Sequence, residues 1–243
     1  MFILAEGDLP VCLCAHMDTV FPAPPTTFYY DPSAGVLWSP QGLGADDRAG
    51  IYAIVSILES GHRPHIIITD LEEKGGIGAE ALIKFYPECP FEDCRAIIQL
   101  DRQGKNDSVY YDCDNKDFEK LINSYGFKTQ WGTFTDISII APQWKIAAVN
   151  LSVGYYDEHQ KIETLNMPQL LKTIAKVEYM LKSCKKWLSY AYVPFDYSKF
   201  VLNNECVLCG KKIENSGHLC YAVDNPSLDL KMCDNCYDLY YVH

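Results

Sequence analysis

Val11-Cys-Leu-Cys-Ala15 runs straight into His16-Met-Asp18, a short apolar run that ends in residues able to bind metal. The same unit recurs along the chain. His65-Ile-Ile-Ile-Thr69 leads to Asp70-Leu-Glu72-Glu73, and Ala96-Ile-Ile-Gln-Leu100 ends at Asp101. Ala147-Ala-Val-Asn-Leu151 leads through a loop to His159. Between the first two units, Gly44-Ala-Asp46-Asp47-Arg48-Ala-Gly50 opens a stretch of helical pattern. Short buried runs alternating with helices predict an α/β fold, a mixed and mainly parallel sheet flanked by helices. Such sheets bind ligands outside the carboxyl ends of their strands. All five groups fall at that edge. Hard carboxylates and imidazoles converging there are what a two-metal hydrolytic site needs.

Around these units the first strand is expected at Val11–Ala15, with a hairpin joining Tyr29-Tyr30 to Val36–Trp38 through Asp31-Pro-Ser-Ala-Gly35. Helices are expected over 46–60, 77–86, 115–125 and 168–183, and strands over 65–69, 95–100, 108–112 and 146–153. Asn166 is placed to cap the last helix, where Leu170, Leu171, Ile174, Val177 and Leu181 keep helical spacing. Between Lys128 and Lys145 the pattern favours no clear element.

A chain of 243 residues holds one good-sized domain and a small appendage. Its formal net charge of −11 argues against nucleic-acid or anionic-membrane partners. The first residues carry no basic segment followed by an apolar core, so they do not read as a signal peptide. No stretch approaches about 18 uninterrupted apolar residues, so no membrane-spanning helix is expected. Four of the 11 cysteines form two Cys-x-x-Cys pairs, which suggests a reducing, cytoplasmic setting with a metal site and no disulfide framework.

Ala15-His16-Met17-Asp18-Thr19-Val20, Gly44–Gly50, Leu71-Glu72-Glu73, Asp101 and His159-Gln-Lys-Ile-Glu163 occur in this order. Together, over roughly residues 10–185, they resemble the co-catalytic di-zinc exopeptidases: the peptidase T, aminoacylase and carboxypeptidase G group, whose metal core the single-domain zinc aminopeptidases share. The resemblance implies two catalytic divalent metals, zinc foremost with manganese or cobalt as alternatives. His16 and Asp101 would hold one and Glu73 and His159 the other, with Asp46 bridging both. Metals bridged in this way sit about 3.5–4 Å apart. Asp18 would orient His16 through its other ring nitrogen. Glu72 would be the general base, facing away from Glu73 on an extended segment. The implied substrate is a short peptide, or an acylated amino acid if the site serves a deacylase or amidase. A catalytically idle adaptor that keeps the fold is the reading from another class, and retention of Glu72 beside all five ligands weighs against it. Arg48 stands where the family has lysine. Asp47 reads as a ligand neighbour or a helix cap, Glu163 as a substrate-amine anchor or a structural cap, and Thr135-Asp136 as buried support. Tyr155 and Tyr156 are candidates for oxyanion donors or for packing.

The chain departs from the peptidase T group in one large respect. Only 34 residues lie between Asp101 and Asp136, too few for the lid and dimerisation domain those relatives insert there. A trimmed core leaves a sheet flank to cover, by the C-terminal module or by a homo-oligomer.

Residues 1–190 are expected to form the di-metal domain, 191–202 a connector and 203–243 a zinc-ribbon-like module. In the last, Cys206-x-x-Cys209 and Cys233-x-x-Cys236 offer four thiolates for one structural zinc, with His218 and Cys220 as bystanders. Lys211, Lys212 and Lys231 are outnumbered there by Glu205, Glu214, Asp224, Asp229, Asp234 and Asp238, against a phosphate-binding face.

Overall fold

One strand organises both halves of the main core. In the computed structural model, which describes residues 1–214, 217–220 and 230–241, Leu9–His16 forms strand β2. Val11, Leu13 and Ala15 enter one apolar cluster, and Cys12 and Cys14 enter another. Side chains alternate along a strand, so a run that is apolar at every position must be covered on both faces.

The chain divides into two compact units, Met1–Val193 and Pro194–His243. In the first, β1 (Phe2–Ala5), β2, β5 (Pro64–Thr69), β6 (Ile97–Arg102), β7 (Asp107–Val109), β8 (Lys128–Thr129) and β9 (Ala148–Ser152) form a seven-stranded sheet in the order β1-β5-β2-β6-β9-β7-β8. The central strands β5, β2, β6 and β9 are mutually parallel. β1 is antiparallel to β5 and β7 to β9, while β8 runs parallel to β7. The sheet is therefore mixed and mainly parallel, as the sequence predicts. The hairpin β3 (Tyr29–Asp31) and β4 (Val36–Trp38) joins β11 (Thr164–Asn166) and β10 (Tyr155–Tyr156) in a smaller antiparallel sheet.

Helices cover both faces of the large sheet. On one lie α1 (Ala45–Glu59), α3 (Lys116–Ser124) and α5 (Met167–Ser183), which bring Ile54, Ile57, Phe118, Ile122, Leu170 and Val177 onto Leu13, Ile98, Leu100, Val149 and Leu151. On the other, α2 (Ile77–Phe85) and α4 (Asp136–Trp144) bring Ala79, Leu82, Ile137, Ile140 and Trp144 onto Cys12, Cys14, Ile67, Ile97 and Ala148. Asn166 caps α5 as expected, its side chain accepting from Gln169 N at 3.1 Å. Among the described residues no helix is long and apolar enough to cross a membrane.

Two elements escape the sequence pattern. β1 is a four-residue edge strand whose alternation is too short to stand out, and it pairs along β5 from Phe2↔Thr69 to Ala5↔Ile66. α4 carries Pro142 and three isoleucines, residues that read against a helix. A reciprocal capping box between Thr135 and Ser138 starts it, and burial of Ile137, Ile140 and Trp144 outweighs propensity.

In the second unit α6 (Ser198–Asn203), the antiparallel pair β12 (His218–Cys220) and β13 (Leu230–Met232), and α7 (Asp234–Tyr241) surround a small core of Phe200, Val207, Ile213, Leu230 and Met232.

α1 approaches β6 closely at Gly50, where an added Cβ would lie 1.9 Å from Leu100 O and 2.5 Å from both Asp47 carboxylate oxygens. Gly50→Ala is therefore expected to destabilise the fold by about 1–3 kcal/mol, the usual scale of overpacking. A lowered urea midpoint checks it, and an unchanged midpoint would show that α1 is not held that near β6.

Candidate metal centre

The parallel strands deliver their last residues to one edge. His16 ends β2, Asp101 lies one residue from the end of β6, and β5 ends at Thr69 just before Glu72 and Glu73. Asp46 lies where the chain enters α1. His159 comes from the loop between β10 and β11 and holds a left-handed φ of 64°. Glu72 and Glu73 lie on a 3-10 turn, not on an extended segment as the sequence reading has it. Leu71, Gly75 and Gly76 around it have φ of 64°, 85° and 75°. At three residues per turn, neighbouring side chains diverge by about 120°, which still separates the two carboxylates.

The structure brings all seven sequence-predicted residues of this edge together, and Asp46 stands at their centre. Its Oδ1 is 3.0 Å from His16 Nε2, and its Oδ2 is 3.2 Å from His159 Nε2. His16 Nε2 is also 3.5 Å from Asp101 Oδ1, and His159 Nε2 is 3.1 Å from Glu73 Oε2. Two donor clusters thus share one carboxylate. Glu72 Oε2 lies 4.0 Å from His16 Nε2.

A second layer holds these groups. Asp18 Oδ1 contacts His16 Nδ1 at 3.2 Å, while its two oxygens accept the backbone N–H of Glu72 and Glu73 at 3.1 and 3.2 Å. One carboxylate therefore orients an imidazole and pins the turn bearing both glutamates. Asp47 accepts from Gly50 N at 3.0 Å and His16 N at 3.1 Å, so both its oxygens serve the backbone as a helix cap and a strap. Thr135 Oγ1 and Gln99 Nε2 donate to Asp101 Oδ2 at 2.7 and 3.0 Å. Tyr155 OH donates to Asp101 at 3.1 Å (carbonyl) and 3.3 Å (Oδ1), and Tyr156 OH donates to Gln169 Oε1 at 2.5 Å. Both hydroxyls are thus engaged in support. Asp136 is fully buried and accepts from Thr69 Oγ1. Gln99 and the Asp18 straps had no signal in the sequence, because each depends on contacts between distant segments.

The electrostatics call for positive charge. Among the described residues no lysine or arginine forms an ion pair with Asp46, Glu72, Glu73 or Asp101; the only basic partners are the two imidazoles. Contacts with Asp46 and Glu73 push the His159 imidazole up to about 10. Burial works against charge on Asp46, yet the His159 and His16 rings hold its carboxyl well below the usual range. Burial, reinforced by the nearby Asp101 carboxylate, pushes Glu72 up to about 8. Glu73 Oε1 is buried without a hydrogen-bond partner. An oxygen-rich set with an orphaned carboxylate oxygen fits a pair of divalent cations. The donor separations agree, since two ligands on one tetrahedral zinc with bonds of about 2.0 Å lie about 3.3 Å apart.

The second unit holds a different donor set. The Sγ atoms of Cys206, Cys209, Cys233 and Cys236 all lie within 4.8 Å of one another, with Cys209 and Cys233 3.8 Å apart. Tetrahedral bonds of about 2.3 Å to sulfur predict about 3.8 Å. Backbone amides of Cys233 and Cys209 outweigh burial and lower the Cys206 thiol to about 7, whereas burial and the neighbouring sulfurs raise the Cys209 and Cys236 thiols. His218 instead pairs with Asp234 at 3.1 Å and stacks on Tyr237.

No protein-family model matches the chain, and comparison with curated proteins finds no match. Solved structures do. A tripeptidase from Staphylococcus aureus superposes with a TM-score of 0.62 at 15% identity over 76% of this chain and 84% of its own. The aminopeptidase PepT of Bacillus cereus gives 0.56 at 16% identity over 76% and 84%. LapB of Legionella pneumophila gives 0.53 at 14% identity, covering 75% of this chain and 55% of LapB. The likeness is one of fold.

Because Asp46, alone among the described residues, faces both imidazoles, Asp46→Asn should cost more metal than loss of any single-cluster ligand. After mild chelation and reloading with zinc, elemental analysis is expected to find fewer than two exchangeable zincs per chain; two retained would place the shared ligand elsewhere.

Proposed function

We propose that this chain is a metal-dependent hydrolase that cleaves a peptide bond at a chain terminus, acting as an aminopeptidase on short peptides. The observation that carries the proposal is Asp46 between His16 and His159, one oxygen toward each, with Glu72 beside them. His16 and Asp101 would hold one divalent metal, Glu73 and His159 the other, and Asp46 both. Bound there, two zinc ions, or manganese or cobalt, supply Lewis acidity and lower the pKa of water.

The chain's own residues supply the rest. Asp18 holds the His16 ring through Nδ1 and so directs Nε2 into the site. Glu72 is the general base: it takes a proton from the attacking water and returns it to the leaving amine. Thr135, Gln99 and Tyr155 keep Asp101 from turning away. The four cysteines of the second unit hold one structural zinc in a closed, soft-ligand site independent of the catalytic pair.

Three measurements test the assignment. Glu72→Gln keeps the shape and removes the base, so metal content should be unchanged while turnover of the best aminoacyl peptide falls at least about 10²-fold. Near-normal turnover would remove Glu72 from the role. Hydrolysis of N-acyl amino acids in place of aminoacyl peptides would make the enzyme a deacylase, and inactivity on both by the zinc-loaded chain would favour a binding role. In the tail, Cys233→Ser should lose one zinc equivalent that resists mild chelation in the parent chain, with the exchangeable pair retained; full zinc content in that variant would rule out the four-cysteine site.

A further inference from the structure

Glu163 is 1% exposed, yet among the described residues no cationic side chain pairs with it. Its carboxylate faces backbone instead. Oε2 accepts the N–H of Gly44 and, at 3.1 Å, that of Ala45; Oε1 accepts the N–H of Asp46 at 3.0 Å.

These three amides need an outside acceptor. The chain enters α1 through Asp46 at φ −81° and ψ 102° and Asp47 at φ −119° and ψ 39°, neither of them helical. Gly44 is left-handed at φ 64°, where a side chain would crowd Arg48 and Thr19. Buried N–H groups without a partner are costly, and successive N–H groups turned to one point form a nest for an anion. A glutamate 117 residues further on fills it.

The bond reaches the bridging ligand itself. Glu163 holds the main chain of Asp46, while the Asp46 side chain places one oxygen toward each imidazole. Glu163 also belongs to the His159 loop, which is tied by Glu163 N donating to Gln160 O at 3.0 Å and continues into β11. The two clusters differ in how they are supported. His16 and Asp101 sit on parallel strands of the main sheet, and Asp101 has its own Thr135, Gln99 and Tyr155 partners. His159 sits on a loop, its side chain 53% exposed. Glu163 connects this loop to the main chain of Asp46.

We propose that Glu163 is a positioning residue that fixes the Gly44–Asp46 backbone relative to the His159 loop, and thereby sets the affinity of the metal position flanked by Glu73 and His159 more than that of the position flanked by His16 and Asp101. The inference rests on the two-metal reading and names a residue on which one of the two positions depends more than the other. A substrate-amine anchor would need a carboxylate that substrate can reach; here both oxygens accept amides and the side chain is buried.

Glu163→Gln tests it. The volume is kept, but the side-chain amide turns an N–H toward backbone donors. The full-length chain, chelated mildly enough to spare the four-thiolate zinc, is titrated calorimetrically with zinc. The parent should bind two zincs at the carboxylate site. In Glu163→Gln one should bind at least about 10-fold more weakly, the usual scale for a lost ligand support, while the other keeps near-parental affinity. The metal-free melting temperature is read alongside, because a purely structural role lowers that temperature without making the two zincs unequal. Glu163→Ala should show the same asymmetry, and if it fails to fold the glutamine variant decides. Parental affinity for both zincs in Glu163→Gln, or equal weakening of both with a lower metal-free melting temperature, would overturn the role of Glu163 alone. A parent chain that binds no pair of exchangeable zincs would overturn the two-metal reading and this inference with it.

Discussion

Carboxylates from Asp18, Asp46, Glu72, Glu73 and Asp101 share one edge of the main sheet, and among the described residues no lysine or arginine pairs with the last four. Donor atoms of His16, Asp46 and Glu73 lie within 4.8 Å of one another. Two like unit charges at that distance repel by about 3–4 kcal/mol at an effective dielectric of about 20. A fold that keeps such a set together must hold it rigidly or neutralise it. This one holds it from behind, with Asp18 on the Glu72–Glu73 turn, Asp47 on the β2 end, Thr135 and Gln99 on Asp101, and Glu163 on the approach to Asp46. Among the described residues the basic partners of the set are the His16 and His159 imidazoles.

That arrangement explains why the core beneath is so uniformly apolar. Strands β2, β5, β6 and β9 are buried on both faces and contribute little chemistry until their carboxyl ends, where backbone pairing gives way to loops. A parallel sheet makes those ends coincide. The supporting carboxylates act mainly on backbone N–H groups, which lets residues of like charge pack near the site without being ligands themselves.

The two units separate hard from soft donors. Oxygen and imidazole dominate the first, a set suited to hard divalent cations, and four cysteine sulfurs cluster in the second, a set suited to a soft one. Cys12 and Cys14 show the contrast within one residue type: they lie fully buried in the main core, and burial raises their thiols well above the usual range, leaving them as small apolar side chains.

Much of this was legible in the residues alone. Apolar runs that end in His16, Glu72-Glu73 and Asp101 predict parallel strands and a shared edge, because strand period and strand direction are local properties; the two Cys-x-x-Cys pairs likewise need only their spacing. The short edge strand β1 and the proline-bearing α4 were not legible, since pairing and burial rather than local pattern produce them. Nor were the duties of Glu163, Gln99, Tyr155 and Tyr156. Sequence offers a carboxylate, an amide or a hydroxyl with several partners open to it. The choice falls to whichever backbone amide or ligand oxygen the packed chain brings within hydrogen-bonding reach, and for Glu163 that amide lies 117 residues away.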